Sequence, residues 1–292
     1  MPFRLQTSVD AGKSKYGISF DDGIMVLGSC FADNIGSRLK AYGFNATVNP
    51  FGTLYNPCSV ADSVFRLESG TPFTEDDIVE IGAGDGRICS FHHHSSFARG
   101  DKEDFLRNAN DCLARDSEAW KNCRTVLVTY GTAWVFRHDG RMLTVANCLK
   151  RPAAEFTRYR LSVSEVTEIS ASLVEAFPDK RFIFTVSPIR HLADGAHGNQ
   201  LSKATLLLGL DAVNGAEYFP AYEIMMDELR DYRFWADDLV HPSQLAVEIL
   251  WERFIEWALP EKEKSRLEAA RKAYLAAGHV KKDGNRGIPG QR

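Results

Sequence analysis

Ile24-Met25-Val26-Leu27-Gly28-Ser29-Cys30-Phe31-Ala32-Asp33 is the stretch whose reading decides the fold. Ile24 to Leu27 is an unbroken apolar run, which suits a strand buried on both faces. Gly28 stops it, and helix-compatible sequence follows from about Asp33 to Tyr42. Ser29 and Cys30 therefore stand where a buried strand turns into a helix. Such a turn presents a side chain at the sheet edge, where backbone N–H groups and the positive end of the helix dipole converge. A thiol there is biased toward thiolate, the nucleophilic form, so Cys30 is a candidate nucleophile. The competing reading is a small buried hydrophobe, a common state of free cysteine.

On both sides of this turn, apolar strands alternate with helical segments. Gly43 suits a helix C-terminus, and Phe44 to Val48 reads as a second strand. The run Asn49-Pro50-Phe51-Gly52-Thr53-Leu54-Tyr55-Asn56-Pro57 is a shaped loop, followed by a helix over Ser59 to Leu67. Residues 69–102, punctuated by glycines, read as an insertion carrying His92, His93 and His94. A helix over 103–119 leads to a third strand, Thr125 to Tyr130. Val135 to Val145 suits a hairpin turning at Asp139-Gly140. Ser162 and Glu165 form a capping-box pattern for a helix reaching about Phe177, and Arg181 to Val186 is a fourth strand. Helices over Leu201–Val213 and Ala221–Asp231 flank a short fifth strand, Ala216 to Phe219. Pro242 suits the first turn of a helix running to about Leu259. Residues 261–277 read as a charged helix, and Lys281 to Arg292 as a disordered tail. The alternation predicts an α/β fold: a three-layer αβα sandwich around a five-stranded, mostly parallel sheet. Residues 1–260 are expected to form one domain, with 261–292 as an appended helix and tail.

Composition narrows the function. The net charge of −4 over 292 residues gives no reason to expect a nucleic-acid partner. No apolar run is long enough to span a bilayer, and MPFRLQTSVD lacks the apolar core of a signal peptide, so a cytoplasmic protein without a membrane partner is expected. The six cysteines form no C-x-x-C pair, which argues against a zinc ribbon or a disulfide scaffold. His92 and His94 would share a face of an extended segment, but no second cluster has metal-ligand spacing. Pocket lining or loop packing is the expected role of the three histidines, and no metal is expected. No G-x-G-x-x-G follows the first strand and no P-loop is present, so no cofactor is expected either.

In a parallel sheet, ligands bind beyond the carboxyl ends of the strands. The loops meeting there hold Cys30, Asn49, Gly52, Gly131, Thr132, Arg190, His191, Asp238 and His241. In Asp237-Asp238-Leu239-Val240-His241-Pro242, the carboxylate three residues before the histidine can reach its ring, fix its tautomer and stabilise the imidazolium. The alternative is a loop with ordinary surface charges. Arg190 and His191 suit either binding a substrate carboxylate or phosphate, or anchoring their own loop. Lys203 reads as part of a solvated helix face. Trp134 is the best placed tryptophan for stacking on a sugar, while Trp235, Trp251 and Trp257 read as core or pocket wall.

Gly28-Ser29-Cys30-Phe31-Ala32 resembles the motif of the GSCFA-domain family, which is similar to a distant branch of the SGNH/GDSL hydrolases. NPFGTLYNP, YGTAWVF, VANCLKRP, SPIRH, the Asn199/Ser202/Lys203 region and DDLVHPS extend the resemblance over about residues 3–258. It implies a flavodoxin-like αβα fold and esterase or acyltransferase chemistry on a small-molecule or carbohydrate ester. It places Cys30 at the superfamily's nucleophilic serine, Asp238 and His241 at its final block, and Gly52 at the oxyanion glycine. Ser29, the rival nucleophile, falls on a non-nucleophilic position. Ala133 stands where the oxyanion asparagine is expected. Loss of one such donor costs about two to three orders of magnitude in rate. Thr132, Asn49 or one of His92–His94 could replace it. The implied reaction is acyl transfer through a Cys30–His241–Asp238 triad and a covalent thioester. A catalytically degenerate fold that binds a glycan or peptide is the alternative.

Overall fold

The computed structural model describes residues 7–284. The chain enters the sheet at β1 (Gly23–Gly28), then forms α1 (Cys30–Ala41), β2 (Ala46–Val48) and α2 (Pro57–Ser69). A small hairpin, β3 (Ile78–Glu80) and β4 (Ile88–Ser90), occupies the expected insertion before α3 (Lys102–Asn122) and β5 (Cys123–Tyr130). Next come β6 (Trp134–His138), β7 (Leu143–Val145), β8 (Phe156–Arg160), α4 (Val163–Ala176) and β9 (Arg181–Val186). The last third holds α5 (Gly195–Asp211), β10 (Glu217–Tyr218), α6 (Ala221–Glu223), α7 (Gln244–Ala258) and α8 (Lys264–Gly284).

The central sheet has the order β2-β1-β5-β9-β10, and every pairing in it is parallel. Counted along the chain, its strands lie 2-1-3-4-5, the flavodoxin-like doubly wound arrangement. Side-chain alternation explains the two covering layers. Met25 and Leu27 of β1, with Val126 and Val128 of β5, face a core built with α2, α3, α4 and α5. Ile24 and Val26, with Leu127 and Ile183, face the opposite core with α1, α6 and α7. An apolar run on β1 is thus required because each face meets its own helical layer.

Several boundaries differ from the sequence expectation for local reasons. Ser29 is the N-cap of α1, accepting from the Phe31 N–H, so the helix begins at Cys30 rather than near Asp33. Asn56 caps α2 ahead of Pro57. α5 begins at Gly195, ahead of the Leu201 start expected for it. The expected hairpin exists as β6 and β7, but β8 adds a third antiparallel strand to it. Phe156-Thr-Arg-Tyr-Arg carries no apolar strand signal, because β8 is largely solvent-facing and holds two arginines. The helix expected over 221–231 is α6 continued by a π-helical turn, Ile224–Glu228, and it stops there. Pro242 lies outside α7, bridging to Trp235, and Ser243 is the cap. α8 continues through Gly284, so 281–284 are helical, while the rest of the expected disordered tail lies outside the described residues. No helix among the described residues is long and apolar enough to cross a membrane.

Candidate active site

Gly28 brings β1 to its end against β5. It has φ 128°, and a Cβ there would sit 2.1 Å from the Thr129 carbonyl oxygen, so only glycine fits. The Ser29 N–H donates to the same oxygen at 3.1 Å, and its fully buried side chain caps α1. That assigns Ser29 to holding the turn. Cys30 is the first residue of α1, where its own N–H and that of Phe31 favour the thiolate form.

The expected thiolate bias is overturned in the resting protein. Burial, followed by the Asp33 carboxylate one turn along, pushes the Cys30 thiol up to about 11. The two N–H groups and Lys203 pull the other way but do not outweigh them.

Asn49 ties the neighbouring loop to this turn. Its backbone is left-handed (φ 45°), its Oδ1 accepts from the Gly28 N–H at 2.8 Å, and its Nδ2 donates to Asp33 Oδ1 at 2.6 Å. Thr53 Oγ1 donates to the other Asp33 oxygen at 3.1 Å. Gly52 is also left-handed (φ 77°), and a Cβ on it would meet His94 Cβ at 2.5 Å. Its N–H donates to Asn49 O at 2.8 Å, so this expected oxyanion donor is engaged in the loop's own turn.

Asp238 and His241 pair as their spacing suggests. Asp238 Oδ2 lies 2.6 Å from His241 Nδ1, and Oδ1 accepts from the Val240 and His241 N–H groups at 2.9 Å each. These bonds hold the Asp238 carboxyl down to about 2. The His241 ring is half exposed. The Arg190 N–H donates to Val240 O at 3.1 Å, which ties this loop to the carboxyl end of β9. Among the described residues, no hydrogen bond joins the His241 ring to the Cys30 sulfur.

Arg190 and His191 anchor their loop. The Arg190 guanidinium lies 3.7 Å from the Trp235 ring centre, and the His191 N–H donates to Asn199 Oδ1 at 2.9 Å. Burial and then Lys203 push the His191 imidazole down to about 4. It is therefore neutral near pH 7 and does not serve as a cationic anion binder. A Cβ on Gly131 would sit 3.5 Å from His191 Nε2 and 3.2 Å from the Tyr55 ring, so these two side chains close on the end of β5.

Ala133 is fully buried, and its N–H donates to Ser202 Oγ at 2.8 Å. Thr132 Oγ1 lies 3.0 Å from the same Ser202 hydroxyl and accepts from the Trp134 N–H at 3.0 Å. Its hydroxyl is thus held in the turn. Lys203, expected on a solvated face, is instead wholly buried and donates to Gly131 O at 2.7 Å and Ser187 O at 2.8 Å. The signal was present in the sequence. Asn199, Ser202, Lys203, Leu206 and Leu210 recur at helical spacing, so polar residues stand in the stripe that also supplies apolar core contacts. Asp33 and Tyr55 also belong to the site, although no motif in the sequence marks them. Asp33 lies one helical turn from Cys30.

The three histidines diverge. His92 Nδ1 pairs with Asp62 Oδ2 at 2.6 Å, His93 Nδ1 with Ser90 Oγ at 2.6 Å, and His94 caps the short 3-10 turn at Ser95–Phe97. His93 is buried among the rings of Phe51, Phe73, Phe97 and Phe105. Among the described residues no group of three or more His, Cys, Asp or Glu side chains is poised for a metal.

Beside Tyr55, Thr132 and His191 opens a cleft of about 540 Å³. Its far wall is built by the β6–β7–β8 sheet, with Trp134, Phe136 and Arg158. The Arg158 guanidinium lies 4.2 Å from the Trp134 ring centre and pairs with the Asp194 carboxylate. Trp134 thus stands at the cleft rather than in either core. Trp235, Trp251 and Trp257 are buried.

The GSCFA family profile matches residues 23–254, which takes in the Cys30 turn, the Asn49–Tyr55 loop, the α5 stripe and the Asp238–His241 pair. The chain belongs to the GSCFA family. Within this GSCFA chain the match spans all five strands of the central sheet and stops inside α7. No curated protein and no solved structure matches the chain.

Proposed function

We propose that this GSCFA protein is an SGNH-like acyl-transfer enzyme acting on an ester, with Cys30 as nucleophile and the Asp238–His241 pair as acid and base. The observation that carries this reading is the placement of the Cys30 sulfur. It sits at the first turn of α1, beyond the carboxyl end of β1, where the N–H groups of Cys30 and Phe31 favour the thiolate.

Sγ attacks the ester carbonyl while its proton passes to the free nitrogen of His241. That proton then goes to the departing alkoxide, leaving a thioester on Cys30. In the second half His241 takes a proton from water or an acceptor hydroxyl, the new oxygen attacks the thioester, and the proton returns to Sγ. Asp238 fixes the His241 tautomer through the 2.6 Å contact at Nδ1. The half-exposed His241 must approach Cys30 when substrate binds, because apo active-site contacts tighten in the substrate complex. The cleft beside Thr132 holds the rest of the ester, and the Trp134 face suits a sugar ring.

A non-catalytic glycan- or peptide-binding protein is the second reading. It is favoured by Ala133 and by the engagement of the Gly52 N–H in its own loop, since both carried-over oxyanion donors are then missing.

Hydrolysis of short aryl esters and thioesters by wild type, Cys30→Ser, Cys30→Ala and His241→Ala separates the two. Catalysis predicts a loss of about two to four orders of magnitude in both alanine variants. Activity surviving both changes overturns the mechanism. An inactive wild type that binds an acylated glycan as tightly as Cys30→Ala establishes the binding reading.

A further inference from the structure

We propose that Lys203 is the built-in counter-charge of Cys30: its ammonium stabilises the thiolate. This rests on Cys30 being the nucleophile. Lys203 acts through Cys30 as a positioning and electrostatic residue, keeping its proton while the thiol proton goes to His241.

The lysine is wholly buried, on the face of α5 that grips the strand ends. An ammonium has three donors, and two of them here go to neutral backbone carbonyls, Gly131 O at 2.7 Å and Ser187 O at 2.8 Å. Carbonyl dipoles favour the charged form but bring no balancing negative charge, and a buried cation without one is strongly disfavoured. These carbonyls follow β5, the neighbour of the strand that delivers Cys30, and β9, the next strand along. Lys203 therefore sits on the same edge as the nucleophile.

The surrounding groups leave one partner. From α1 come Cys30 and Asp33; the Asp33 carboxylate is held by Asn49 Nδ2 and Thr53 Oγ1, and of the two it is Cys30 whose charge acts on Lys203. From the loop after β2 comes Tyr55, and from α6 Tyr222, whose ring centre lies 5.4 Å from Nζ; burial keeps both phenols neutral. From the loop after β9 comes His191, which becomes only neutral or positive, and His241 is felt through it. Cys30 is the group that can become an anion beside Lys203, and the two act on each other electrostatically. Burial drives both toward neutrality, the thiol up to about 11 and the amine down to about 7. Each charge favours the other, so a thiolate formed at Cys30 holds Lys203 in its ammonium form.

The test follows Cys30 alkylation by iodoacetamide against pH, read on the Cys30 peptide by mass spectrometry, in wild type, Lys203→Met and Lys203→Arg. Loss of the charge is expected to slow Cys30 alkylation roughly tenfold at about pH 8, the effect of one pKa unit, while Lys203→Arg keeps most of the rate. A folded Lys203→Met with the wild-type pH profile overturns the proposal.

A second measurement does not depend on that variant folding. The Lys203 side chain is titrated by NMR in wild type and Cys30→Ser. The counter-charge role predicts a Lys203 pKa lower by about one unit or more without the thiol, and an unchanged value overturns it. Neither readout requires turnover, so failure of this pairing and failure of the acyl-transfer reading are told apart.

Discussion

Asn49 acts on two groups of the site at once. Its amide oxygen satisfies the Gly28 N–H at the end of β1, and its amide nitrogen holds the Asp33 carboxylate near Cys30. Asn49→Ala leaves the Gly28 N–H without its partner, and a buried unsatisfied donor costs about 1–3 kcal/mol. Urea unfolding should show that loss, and a midpoint unchanged from wild type would remove Asn49 from the turn's support. His93 makes a pH prediction. Its burial among aromatic rings pushes the imidazole down to about 3, so the folded protein keeps it neutral. The unfolded chain protonates it below about pH 6.5 and then binds the extra proton. Stability is therefore full above that pH and falls as the solution is acidified toward 3, by up to about 1.4 kcal/mol per pH unit. His93→Phe should flatten this acid limb in denaturation series run between about pH 7 and 4. Parallel curves for the two proteins would assign the acid sensitivity elsewhere.

At the scale of elements, helix caps decide where side chains point. Ser29 is the N-cap of α1, and only because the helix starts there does Cys30 occupy its first turn. Ser29→Ala should cost about 1 kcal/mol and leave acyl transfer largely intact, since the buried hydroxyl is spent on the cap. Activity abolished in a stably folded Ser29→Ala would make Ser29, not Cys30, the nucleophile. The helices also show what could be read in advance. The capping box at Ser162 and Glu165 forms with both of its bonds, because that signal is local. α5 was harder. Its register was visible in the sequence, but the meaning of Asn199, Ser202 and Lys203 on its buried stripe depends on the loops they hold. Asn199 takes the His191 N–H, Ser202 the Ala133 N–H, and Lys203 two carbonyls. A lysine is usually solvated, and only tertiary packing converts this one into a buried cation.

For the whole molecule, the five parallel strands were legible because β1, β5 and β9 are nearly continuous apolar runs between two helical layers. The convergence of their loops followed from topology alone. The raised Cys30 thiol was not legible, because a helix N-terminus argues for thiolate while burial and Asp33 argue against it, and only packing gives their balance. The cleft was not legible either, since one of its walls includes β8, a strand hidden by its exposed arginines. The sheet β7-β6-β8 lies between β5 and α4 in the chain, outside the central sheet, yet brings Trp134 and Phe136 to the cleft beside Thr132. Substrate size should therefore be set by this added sheet, and the chemistry by the central one. Ala146, just after β7, lines the same cleft, and its N–H donates to Phe91 O at 2.8 Å, which fixes its position. Ala146→Trp should fill much of the space without touching Cys30 or His241. The expected outcome is a fall in kcat/KM of roughly tenfold or more for bulky esters with little change for acetyl esters, because selectivity here is lost binding, not lost chemistry. An equal fall for acetyl and bulky esters would place the substrate on a different side of the sheet edge, away from Trp134.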